Sequence, residues 1–369
     1  MNSLNSSTIK VLELYSGIGG MNYALRGSGI SGKVVAAMDI NTTANKVYQH
    51  NFPDENLLQR NIQALTAEEI NSYGIDMILM SPPCQPFTRV GLKKDVSDSR
   101  TCSFLHLLSI FPHLNSKWKY LLLENVKGFE NSEACQLLLT TLEQINFCYQ
   151  QFILSPSMFS VPNTRHRYYL IAKRRPLTFI FPVQLGVTDR ALTYFEKFLI
   201  NDKTLKKHAW LMDIVGPNSR RSCCFTKAYS HYVEGTGSVF CSKPTEIIAE
   251  VFKFNRNEEI NPEQLQLLRS LELRYFTPQE VARLMCFPDD FSFPPDITIK
   301  QMYRLLGNSI NVFVVTLLSP TDHNMQRDYA HIRDDRCITV HEITTKLAIE
   351  HSAVQEMNEN FVPFGIPVY

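Results

Sequence analysis

The amino-acid sequence predicts an α/β fold, a mostly parallel sheet with helices on both faces, plus a smaller added module. Three observations predict it. Between residues 9 and 175, short β-branched or apolar runs alternate with longer amphipathic stretches, the pattern of strands joined by crossover helices. Residues 176–270 break that alternation, and residues 271–318 return to helical periodicity. The 369 residues are 44% hydrophobic and 11% aromatic, which is enough apolar mass for a sizeable core and too much for a disordered chain.

The strands expected are Ile9–Leu14, Lys33–Asp39, Asp76–Met80, Tyr120–Glu124, Gln151–Leu154 and Tyr168–Lys173. Helices are expected at Met21–Gly29, Asn41–Asn51, Thr66–Tyr73, Cys102–Leu114 and Asn131–Ile145, several opening on an Asn, Ser or Thr suited to capping. Within 176–270 stand a basic stretch, Lys203–His208, and a glycine-containing run, Cys223–Phe240, that reads as β. Thr277–Met285 begins with Pro at its first turn, and Lys300–Leu306 leads into Gly307-Asn308-Ser309. The organisation expected is therefore a catalytic domain over 1–175, a recognition module over 176–270, the rest of the catalytic domain over 271–318, and an atypical polar tail over 319–369.

The charges nearly cancel, 37 basic against 36 acidic side chains, so nucleic-acid binding would rest on local patches rather than a positive coat. No apolar run approaches the roughly 20 residues of a membrane helix, and the N-terminus lacks a signal layout. The expectation is a cytoplasmic monomer, with nuclear residence left open and no membrane partner. Nine cysteines without a C-x-x-C pair fit reduced thiols and no metal site.

Candidate chemistry begins where the first strand runs into Ser16-Gly17-Ile18-Gly19-Gly20. Glycines there let the backbone turn sharply and approach a ligand, although an ordinary strand-to-helix turn would also suffice. Asp39 ends the next strand about 20 residues on, where a carboxylate accepts hydrogen bonds from ribose hydroxyls. The spacing is not that of a pyrophosphate cradle, so a nucleoside cofactor without phosphates fits, with S-adenosylmethionine as the candidate and S-adenosylhomocysteine as its product. Asn61, Ile62 and Gln63 are candidates for holding its adenine.

The strand Asp76–Met80 ends in Ser81-Pro82-Pro83-Cys84-Gln85-Pro86. Three prolines stiffen this loop at the edge where α/β ligands bind, placing Cys84 as a nucleophile or as a small turn residue. The apolar strand Tyr120–Leu123 closes on Glu124-Asn125, and a carboxylate there faces either a site or a structural partner. Thiol and acid together suit cytosine. A thiolate added to carbon 6, with a proton given to nitrogen 3, makes carbon 5 reactive toward a methyl sulfonium. Arg165 and Arg167 stand at i and i+2, able to bind base oxygen O2, a phosphate or Glu124.

The motifs ELYSGIGG, MDIN at 38–41, SPPCQPFT, ENV, NTRHR and RLLGNSINV at 304–312 resemble those of the cytosine-C5 methyltransferases, in the same order. That resemblance implies a Rossmann-like S-adenosylmethionine-dependent methyltransferase sheet, with Cys84 as nucleophile, Glu124 as the nitrogen 3 acid, Arg165 and Arg167 orienting the base, and Asn308 and Ser309 closing over the cofactor, beside Ser81. The segments at 211–215, 220–226 and 232–238 resemble the subgroup that methylates tRNA, which implies the anticodon-loop cytosine at position 38, chiefly in aspartate tRNA. Asn125, Lys173, Arg220, Arg221, Cys224, Phe225 and Thr226 are the candidate RNA contacts. An anticodon loop already splays its bases, so its target enters a pocket without the cost of opening a duplex. DNA is the alternative substrate, and a non-catalytic RNA-binding protein is the second alternative.

Overall fold

A computed structural model describes residues 8–83, 101–177, 198–253 and 260–318. A seven-stranded sheet organises it: β1 (Ile9–Leu14), β2 (Gly32–Asp39), β3 (Leu57–Gln59), β4 (Met77–Met80), β5 (Tyr120–Val126), β6 (Phe147–Leu154) and β7 (Arg167–Arg174), in the order β3-β2-β1-β4-β5-β7-β6. The pairs β2–β3, β1–β2, β1–β4 and β4–β5 are parallel, while β7 enters antiparallel between β5 and β6. β1 lies between β2 and β4, so the chain crosses to opposite sides at its carboxyl end. That switch point is where ligands bind in open α/β sheets.

Alternation along the strands gives the sheet two buried faces. Val11, Ala37, Met77, Leu79, Leu122 and Ile171 look toward one core, and Leu12, Leu14, Ala36, Ile78, Leu121 and Leu170 toward the other. The second face is covered by α3 (Ala67–Ser72), α4 (Cys102–Ile110) and α5 (Glu133–Gln144). The first is covered by α1 (Gly20–Gly27) and α2 (Thr42–Asn51), and by helices that return from the far end of the chain. Asn41 caps α2, Thr66 caps α3 and Ser132 caps α5 through bonds to backbone N–H groups, as their residue types predicted.

The insert carries α6 (Asp202–His208), α7 (Thr245–Val251) and α8 (Pro262–Ser270) around a three-stranded sheet of β8 (Ile214–Val215), β9 (Val239–Phe240) and β10 (Arg274–Tyr275). Two expectations are corrected here. The run Cys223–Phe240 is strand only at its end. Phe225 and Tyr229 root it in the core, and Gly235 and Gly237 adopt positive φ, so the chain turns instead of extending. A boundary after 270 would also cut off β10, which pairs with β9. Arg274 forms a buried two-pronged ion pair with Glu280, 2.8 and 2.9 Å, while lying over the Phe240 ring. That joins the small sheet to α9 (Pro278–Leu284).

After α9, the chain forms α10 (Ile299–Asn308) and α11 (Val312–Leu318), and α11 packs along α1, with Thr316 donating to the Ala24 carbonyl. The N-terminal and C-terminal segments thus complete one core. The short edge strand β3 and the first half of β6 carry little apolar alternation and were not legible as strands.

Candidate active site

Register fixes the site. Leu14, Met38, Met80 and Leu123 occupy one row across β2, β1, β4 and β5. The residues that follow them, Tyr15, Asp39, Ser81 and Glu124, therefore share the carboxyl edge of the sheet. β7 runs the other way, so Tyr169 pairs with Glu124 and Arg167 with Val126, which brings NTRHR to the same edge.

At the glycine loop Gly17 and Gly19 have φ of 54° and 86°, values that favour glycine. The Gly17 N–H donates to Asp39 Oδ2 at 2.9 Å and the Asn41 N–H to Oδ1 at 2.8 Å, holding the loop against the end of β2. A Cβ on Gly19 would lie 2.2 Å from Phe52, and one on Gly20 2.6 Å from Ile310. The loop therefore packs directly against Ser309-Ile310, so two candidate cofactor segments are neighbours. Ser16 Oγ is buried and has no hydrogen-bond partner among the described residues, as expected of a group reserved for a ligand. Burial raises the Asp39 carboxyl, opposed by N–H groups of Asn41, Gly17 and Ile40.

Asn61 accepts from the Gln63 N–H at the head of a short turn, and the Arg60 N–H donates to the Asp39 carbonyl, so this segment is held beside the end of β2. The Ile62 side chain packs into the core instead. Sequence reasoning missed Ile40, which is 67% exposed directly beside Asp39 and offers an apolar surface to a planar ring. The signal was an isoleucine placed just past the strand-ending carboxylate. Tyr15 was also missed. It has φ of 56°, its hydroxyl donates to Ser103, and its carbonyl accepts from Ser81.

Glu124 is 7% exposed, and its Oε1 lies 3.3 Å from Arg167 Nε. Burial raises its carboxyl, with the Arg167 and Arg165 charges pulling it back. The result is an acid that holds its proton more firmly than a solvated glutamate and has a cation beside it. Arg165 is buried and reaches across modules. Its Nη1 donates to the Phe225 carbonyl at 3.2 Å and to Cys224 Sγ at 3.4 Å, and its Nη2 donates to the carbonyls of Gly307 and Ser309. Burial raises the Cys224 thiol, but Arg165 and Arg167 outweigh it, and the net shift is downward. Asn125 is buried and donates to the Pro82 carbonyl at 3.4 Å. It therefore braces the loop leading to Cys84 and is not open to substrate. Cys84 lies outside the described residues.

The model of the C-5 cytosine-specific DNA methylases matches residues 9–319, spanning this edge and both segments of its core. The chain belongs to that family. A Spodoptera frugiperda relative, named tRNA (cytosine(38)-C(5))-methyltransferase, is 50% identical over 325 residues, covering 84% of this chain and 97% of the relative. The Homo sapiens protein of the same name is 43% identical, covering 84% of this chain and 98% of its own. A crystal structure of a Spodoptera frugiperda DNMT2 mutant superposes with a TM-score of 0.77 at 49% identity, covering 84% of this chain and 98% of that one.

Besides Asn125, two further candidate RNA contacts in this C-5 methylase are corrected by their positions. Lys173 is 4% exposed, lies over the Tyr120 ring and pairs in register with Tyr120, at the sheet edge opposite the site. It cannot reach a substrate at Glu124. The Phe225 ring is buried against Tyr229 and Phe276 and closed to RNA, while its carbonyl accepts from Arg165. Arg220 and Arg221 are exposed, Arg221 held by Asp213 at 2.8 Å, and Thr226 stands half-buried at the start of a loop. Asn308 is exposed, and Ser309 is half-buried beside the glycine loop.

Proposed function

We propose that this chain methylates carbon 5 of a cytosine in tRNA, at anticodon-loop position 38 and chiefly in aspartate tRNA, through a covalent adduct with Cys84. The observation that carries the reading is Glu124, a buried carboxyl held beside Arg167 at the sheet edge where SPPC begins. The shared name of the relatives supports tRNA as the substrate.

The residues fit S-adenosylmethionine. Asp39 would hold its ribose, Ile40 and the Asn61 segment its adenine, and Ser16 with the glycine loop its methionine end. When bound, that cofactor supplies a methyl group on an electrophilic sulfonium and leaves as S-adenosylhomocysteine. The protein's own work is to make carbon 5 nucleophilic. The Cys84 thiolate forms a bond to carbon 6 while Glu124 gives its proton to nitrogen 3, so the ring gains an enamine without a negative charge. Arg167, paired with Glu124, offers N–H donors toward base oxygen O2. After methylation the carbon 5 proton leaves to a base, the carbon 6 to sulfur bond breaks, and the proton on nitrogen 3 returns to Glu124.

The test is transfer of labelled methyl from S-adenosylmethionine to total tRNA and, separately, to duplex DNA. Wild-type protein is expected to label tRNA. Cys84→Ala is expected to label nothing, and Glu124→Gln to lose about 100-fold or more, the scale of a lost general acid. Label confined to DNA would overturn the substrate, and unchanged transfer by Cys84→Ala would overturn the adduct.

A further inference from the structure

The loop that follows Phe225 has no role in the chemistry above, yet it is rooted in the base site. Phe225 gives its carbonyl to Arg165, and the next residue, Thr226, closes a loop by donating its N–H to the Thr236 carbonyl at 2.9 Å. Inside it, Tyr229 points into the core. Its hydroxyl donates to the Ser238 carbonyl at 2.6 Å and accepts the Phe276 N–H at 2.9 Å. The N–H groups of His231 and Tyr232 both donate to the Ala228 carbonyl, and Thr236 Oγ1 donates to the Tyr232 carbonyl at 2.5 Å. The backbone at the tip is therefore fixed.

What this fixed tip presents is aromatic. Tyr232 is 63% exposed, and the His231 ring stands edge-on to its ring at 4.6 Å, with Lys227 exposed at the loop's start. Single exposed aromatics are common and need no explanation. This one differs because its loop is pinned at both ends and rooted, through the Phe225 carbonyl, on Arg165, whose charge acts on Glu124, while a second ring stands edge-on to it. Unpaired RNA bases are recognised by stacking on such rings, with a cation nearby for phosphate.

We propose that Tyr232 is a stacking platform for an unpaired base of the substrate RNA loop, a residue that determines specificity rather than one that reacts. The proposal rests on the tRNA reading, and it predicts that the ring matters and the hydroxyl does not. The test uses the full chain and an anticodon stem-loop RNA carrying 2-aminopurine at each loop position in turn. Binding is followed by fluorescence, with KM for tRNA and for S-adenosylmethionine measured separately. Tyr232→Ala is expected to raise Kd and KM for RNA about tenfold to a hundredfold, the cost of losing one stacked base, and to abolish quenching at one loop position. KM for S-adenosylmethionine and the melting temperature should not move. Tyr232→Phe should keep binding and quenching. An unchanged RNA KM in Tyr232→Ala, or equal losses in Phe and Ala variants, would overturn the platform while leaving tRNA methylation standing. Absence of stem-loop binding by the wild-type protein, with label going to DNA, would remove both.

Discussion

Two buried carboxyls on the same face of the sheet show how surroundings divide labour between like residues. Glu124 has cations beside it and stands at the carboxyl edge of the sheet. Glu13, in β1, has no cation beside it among the described residues and is fully buried. It accepts from the Tyr48 hydroxyl at 2.8 Å and from the Asn22 N–H, and burial pushes its carboxyl up to about 8 against those bonds. Its native state therefore holds a proton that the unfolded chain has released above the ordinary value of 4.5. Stability from this group is complete below about 4.5 and is lost as pH rises through about 8, with a slope of at most ~1.4 kcal/mol per pH unit. Glu13→Gln cannot titrate, so its urea-unfolding free energy should fall less than the wild type's between mildly acidic and mildly alkaline buffer. Parallel pH curves would refute the assignment. Glu124 was legible in the sequence because a carboxylate closing an apolar strand demands a reason. Lys173 was misread because a basic triplet does not reveal which sheet edge it occupies. The strained backbone of Tyr15 leaves no compositional trace at all.

Among the elements, α10 carries the tightest constraint. Gly307 lies within the helix, where alanine would gain up to about 1 kcal/mol in propensity. Yet a Cβ there would meet Lys227 N at 2.1 Å and the Thr226 carbonyl carbon at 2.2 Å. Both are backbone atoms, at the root of the loop that bears Tyr232, and cannot swing aside as a side chain would. Overpacking typically costs about 1–3 kcal/mol, which outweighs the propensity gain. Gly307→Ala should therefore lower the melting temperature by several degrees and, because Arg165 bonds to the Gly307 carbonyl, reduce methyl transfer more than stability alone explains. An alanine variant as stable and active as wild type would show that the helix and insert part easily. The sequence flagged GNSI as a cofactor segment through family resemblance. It carried no sign of this seam, because a glycine that admits another backbone looks like any other glycine. The helices of the sheet domain were legible through their caps, whereas the turns of 223–238 were hidden by residues that equally suit a strand.

At the scale of the whole molecule, the chain leaves its catalytic core for the insert and returns, so the last described helix decides whether the core is closed. Val314, Val315, Leu317 and Leu318 of α11 are all buried, and α11 packs on α1, which begins at the glycine loop. Burying each such side chain is worth about 1.5–3 kcal/mol, so together they approach the ~5–15 kcal/mol that separates folded from unfolded states. The family match ends at 319, and every site residue assigned above lies before it. A chain ending at Pro320 should therefore keep methyl transfer to tRNA within about a factor of two. A chain ending at Asn311 should lose cooperative unfolding and all transfer. Loss of transfer in the longer truncation would mean that residues beyond 320 take part in binding RNA, because the core and the chemistry would both still be present.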